Sequence, residues 1–138
     1  MKNKLLFLTL LVFQFTFSQN IPPEISSDGS QIYCPLSFQS IVTGFNIIDP
    51  DDSSIDALYI QISEGYVEGE DFLTLAGEHP GVQETWNAIE GKLELTGNGG
   101  VQVLYVDLIA AVYDIKFNSV NPNPSDKSFS FTIGDTNY

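Results

Sequence analysis

The chain has 138 residues, with eighteen acidic side chains against five lysines and no arginine, a formal charge of −13. That surface repels phosphate backbones and anionic lipid heads, which disfavours nucleic acids and membrane surfaces as partners; it would attract divalent cations or simply keep an extracellular protein soluble in salty water. Its length is that of one domain around one core.

In chain order, residues 1–18 read MKNKLLFLTLLVFQFTFS: two lysines, an apolar run from Leu5 to Phe13, then the small residues Thr16 and Ser18. This is the pattern of a secretory signal peptide cut after Ser18. Gln14, Thr16, Ser18 and Gln19 break the run before it reaches the roughly 20 apolar residues of a membrane span, and no second such stretch follows. The expectation is an exported chain with no direct membrane insertion. A lipid anchor would need a cysteine at the cut, and the only cysteine is Cys34. Cleavage leaves 120 residues, with three lysines against eighteen acids, a formal charge of −15.

Residues 19–30, QNIPPEISSDGS, read as an extended leader. A strand is predicted at 31–34, within QIYCPLSF. Cys34 has no internal disulfide partner and reads as a small buried residue, with pairing to another chain as the alternative. Nothing links it to the only histidine, His79, so it does not read as a nucleophile. After a strand at 40–48 comes DPDDSSID, which gathers Asp49, Asp51, Asp52 and Asp56. ALYIQIS at 57–63 alternates Leu58, Ile60 and Ile62 with Tyr59, Gln61 and Ser63, the period of a half-buried strand.

A strand at 72–75 follows, and the turn IEG at 89–91 joins TWNAI to KLELTG at 92–97, which points Leu93 and Leu95 inward. VQVLYVDLIAAV, 101–112, is ambiguous. Val101, Leu104, Tyr105, Leu108 and Val112 fit a helix face, whereas the valines favour a strand. Strands at 112–118 and 129–134 close the series, the latter directing Phe129, Phe131 and Ile133 inward. About seven short strands separated by turn-forming segments predict an all-β, Ig-like antiparallel sandwich.

The order FNIIDPDDSSIDALYIQISEGYVEGEDFLTL, WNAIEGKLELTG, LIAAVYDIKFNSVNPNPSDKSFSFTIGD resembles the cadherin-like repeat of large secreted bacterial surface proteins. In that family an acidic D-x-D turn precedes an A-x-x-x-I strand, a G-x-L-x-L-x-G hairpin follows, and a short helix leads into a V-x-Y strand. A Pro-Ser turn and an F-x-x-x-D closing strand complete the unit. The resemblance covers about residues 31–136 and implies a cadherin-like domain there. It also implies helix at 101–111, with Val112 and Tyr113 opening the next strand. FTIGDTNY is similar to a linker that can precede a C-type lectin domain, which makes 135–138 the expected start of a linker to a downstream domain. The implied role is a non-catalytic spacer or adhesion module at the cell surface. Its partners would be other domains of a longer protein and cell-surface glycans or proteins. The alternative is a module that binds carbohydrate or protein through its own loops or with an adjacent lectin domain.

For the acidic segment, calcium is the fitting ion, because it accepts six to eight oxygens in flexible geometry. An EF-hand starting at Asp49 fails: its sixth position is Ser54 instead of glycine, and its twelfth is Ile60 instead of glutamate. GNGG does not extend into a glycine-aspartate nonapeptide, and NPNPSD is not the D-x-N-D-N linker of true cadherins. The remaining metal reading places calcium on Asp49, Asp51 and Asp52, helped by Glu24, Asp71 or Asp135. The competing reading is a turn whose aspartates accept from backbone N–H groups and water. One histidine and one cysteine do not make a transition-metal site. Glu68 and Glu70 could pair as acid and base, but no sugar-lining cleft is evident around them. Trp86 reads as a core or rim residue of the hairpin.

Overall fold

The computed structural model describes residues 20–134; the expected signal peptide at 1–18 and linker at 135–138 lie outside the described residues. Strands β1 (Glu24–Asp28), β2 (Gln39–Ser40), β3 (Gly44–Ile48), β4 (Ser54–Ile55), β5 (Ala57–Glu64) and β6 (Asp71–Leu75) occupy the first half. Then come β7 (Val82–Asn87), β8 (Lys92–Gly97), a 3-10 turn at Asn98–Gly100, β9 (Val103–Leu104), α1 (Tyr105–Asp114), β10 (Ile115–Ser119) and β11 (Ser128–Gly134). All pairings are antiparallel, in the orders β11-β5-β8-β7, β2-β10-β6, β1-β3 and β4-β9. The fold is an all-β sandwich with one short helix.

Two-residue alternation builds the core. In β5, Leu58, Ile60 and Ile62 are buried beside Leu93 and Leu95 of β8, while Tyr59, Gln61 and Glu94 lie on the other face. Ile115 and Phe117 of β10 and Leu73 of β6 face them from the second sheet. Removing such side chains from water stabilises the fold by about 1.5–3 kcal/mol each. Gly97 ends β8 because residues 101–102 cross it closely: a Cβ there would lie 2.3 Å from the Val101 carbonyl oxygen.

The helix overlaps the expected 101–111 stretch but is shifted along the chain, starting at Tyr105 and running to Asp114. Val103 and Leu104 pair with Ile55 and Ser54 as strand, consistent with the β preference of valine, and the Tyr105 N–H donates to Ser53 O at 2.9 Å as the helix begins. Tyr105, Leu108, Ala111 and Val112 form its buried face. Val112 and Tyr113 therefore belong to the helix and do not open the next strand, which starts at Ile115.

Other expectations are also corrected. Part of the expected leader, Glu24–Asp28, is a strand paired with β3, and Ile25 packs on the core, so the folded unit begins before residue 31. Residues 31–34 are not strand, and Cys34 is exposed. The predicted strand 40–48 is broken, because Ile41 and Val42 turn into the core between β2 and β3. Phe129, Phe131 and Ile133 do face inward as expected and pack against the core, half-buried on this edge strand. The β4–β9 ladder and the full extent of β7 go beyond the sequence expectation. No helix among the described residues is long and apolar enough to cross a membrane.

Candidate functional site

The acidic turn connects the end of β3 to β4. Pro50 and three aspartates favour a turn here, and Asp49 sets its shape: its Oδ1 accepts from the N–H groups of Asp51 at 3.1 Å and Asp52 at 3.0 Å. Its Oδ2 accepts from the Tyr105 hydroxyl at 2.6 Å. Burial pushes the Asp49 carboxyl up, but the hydrogen bonds from Tyr105, Asp52 and Asp51 outweigh it and hold the group below its usual value of 3.8. Asp51 Oδ2 accepts from the Ile21 N–H at 3.1 Å, which ties the turn to the segment entering β1.

Asp49, Asp51 and Asp52 each offer a carboxylate oxygen, and these atoms all lie within 4.8 Å of one another. With calcium–oxygen distances of 2.3–2.6 Å, two oxygens on one ion lie at most about 5 Å apart, so this spacing suits a shared calcium. Asp51 and Asp52 are exposed and Asp49 is half-buried. The turn also holds its shape through its own bonds, as the competing reading requires.

The expected helpers are not gathered at this turn. Glu24 sits opposite Ile48 in the β1–β3 register, next to the turn but outside the carboxylate group. Asp71 is buried in β6, where its Oδ2 accepts from Lys127 Nζ at 2.6 Å and the Val67 N–H at 2.8 Å. Asp135 lies outside the described residues. Tyr105 is the residue that sequence reasoning missed; its spacing pointed to a helix face but carried no signal of a partner 56 positions away.

The remaining candidates have structural surroundings. Glu70 Oε2 accepts from Asn121 Nδ2 at 2.8 Å, and Glu68 is exposed. His79 Nε2 lies 3.1 Å from Asp114 Oδ2 at the end of α1. Trp86 is half-buried, packs against the core and meets Tyr66 edge-on with centroids 6.2 Å apart.

The described chain enters and leaves at the end of the sandwich that bears this turn. Glu24 lies opposite Ile48, the residue before Asp49, and Gly134 lies opposite Ala57, just after β4. Compared with family models, with curated proteins and with solved structures, the chain gives no match.

Proposed function

We propose that this chain is a non-catalytic extracellular module of the cadherin-like type, an adhesion or spacer domain of a secreted or cell-surface protein, in which calcium on Asp49, Asp51 and Asp52 stiffens the junction with neighbouring segments. The observation that carries this reading is the position of the acidic turn. Both flanking segments of the described chain lie at its end, and one of them is bonded to Asp51 through Ile21 N–H. A divalent ion there would replace mutual repulsion of the carboxylates by shared coordination, in a chain whose acidic excess has little other neutralisation.

The same placement bears on the kind of module. A link in a straight rod needs its two attachments at opposite ends, whereas here Glu24 and Gly134 share one end. That favours a domain projecting from its attachment point, with the opposite end free for contact, so adhesion is the stronger half of the proposal. Thermal unfolding with calcium and with chelator tests the metal. A glycan array tests the alternative that the domain binds carbohydrate itself, since a module acting only through its neighbours retains nothing on the array.

A further inference from the structure

We propose that the cleft between β11 and the segment following β1 is a strand-addition site that takes an extended, basic, alternately apolar peptide from another protein. The inference is independent of the calcium reading and of export.

Its first support is the hydrogen-bond direction in β11. The Ile62 N–H donates to Gly91 O at 2.9 Å, which turns the even-numbered residues of β5 toward β8. Tyr59 and Gln61 therefore face β11, and their opposite residues Thr132 and Ser130 take those bonds. The main-chain groups of Phe129, Phe131 and Ile133 must then point away from β5, along an edge that no strand covers among the described residues. This edge reads SFSFTIG; past a register shift at Ser128/Phe129, its six remaining residues run regularly and contain neither proline nor lysine, two of the devices that blunt an edge. By contrast, the edge of β6 is capped at the Leu75 N–H by Glu84 Oε2 at 2.7 Å.

The second support is what lies beside that edge. A cleft of about 870 Å³ separates β11 from the segment following β1, with Ile41, Phe117, Phe129 and Phe131 among its apolar lining. It is a slot for the inward side chains of an added strand.

Charge identifies the occupant. Asp28 and Asp126 line the cleft and are exposed. Among the described residues the only cation lining it, Lys127, is committed to Asp71 Oδ2 at 2.6 Å and Gly65 O at 2.5 Å. A second copy of this acidic chain would add like charge, whereas a strand carrying lysine or arginine on its outward side complements the rim.

The test uses the purified protein and a labelled nine-residue peptide of alternating lysine and valine, with a glutamate–valine counterpart, read by fluorescence anisotropy and amide exchange. Saturable binding is expected, about tenfold or more tighter for the basic peptide and weakening as salt rises, with exchange slowed at Phe131 and Ile133. Ile133→Pro removes one outward donor without breaking a bond to β5, and it should abolish binding. Should that variant fail to fold by circular dichroism, the exposed pair Asp28→Lys and Asp126→Lys carries the test, with an affinity loss of about fivefold or more and an unchanged melting midpoint. No binding, equal binding of both peptides, protection elsewhere, retained binding in a folded Ile133→Pro variant, or the charge pair leaving affinity unchanged would overturn the proposal. So would protection of the same edge by self-association without peptide.

Discussion

The Tyr105 hydroxyl donates a 2.6 Å hydrogen bond to Asp49 Oδ2, joining the first residue of the helix to the first aspartate of the acidic turn. Tyr105→Phe deletes this bond and leaves the ring in place. It should lower stability by about 0.5–1.5 kcal/mol in urea unfolding, and somewhat more if the freed carboxylate oxygen is kept from water. An unchanged midpoint would mean the helix and the turn are not energetically joined.

The same carboxyl sets a pH dependence. Its folded-state value lies below 3.8, so its contribution is fully present above that pH and is lost as pH falls through the lower, folded value. Asp49→Asn keeps an acceptor for the turn but removes the charge. Its stability deficit at neutral pH should shrink as pH drops below 3.8, whereas a deficit independent of pH would assign the loss to geometry alone.

Asp71 and Lys127 form a buried pair, and Asp71 Oδ1 has no hydrogen-bond partner among the described residues. Lys127→Met would leave the carboxylate uncompensated and should cost about 3–5 kcal/mol. Adding Asp71→Leu to that variant should recover much of the loss, because a pair replaced together no longer strands a charge. A denaturant series on Lys127→Met, on Asp71→Leu alone and on the double variant separates the cases: a double loss equal to the sum of the two single losses would contradict the coupling.

Much of the architecture was legible where burial and local period agree. Leu58, Ile60, Leu93 and Leu95 occupy the inner faces that their alternation predicts. The reading broke down where long-range pairing decides. Val103 and Leu104 are drawn into a ladder with Ser54 and Ile55, which delays the helix, and Glu24–Asp28 becomes a strand only because β3 is available to it. At the candidate site, the three aspartates were visible as a run, but the bonds from Tyr105 and Ile21 depend on elements that only the fold brings together.

The helix register has its own check. Leu108 is fully buried and Val106 is 68% exposed. Leu108→Ala should cost about 2–5 kcal/mol, and Val106→Ala should stay within about 0.5 kcal/mol. Comparable losses at both positions in chemical denaturation would point to the strand alternative for this segment.

Cys34 is exposed in the segment between β1 and β2. Its thiol should react with a disulfide reagent in native buffer at close to the rate seen in denaturant, measured by absorbance. A reaction that waits for unfolding would restore the buried reading.

The proposal that calcium is held at the acidic turn is tested most directly by calorimetric unfolding of the protein in millimolar calcium against chelator, repeated for Asp51→Asn with Asp52→Asn. Calcium should raise the midpoint, corresponding to about 2.7 kcal/mol at a hundred times the dissociation constant, and the double variant should lose that increment. An identical midpoint in both conditions, or a shift that survives the double substitution, would contradict it.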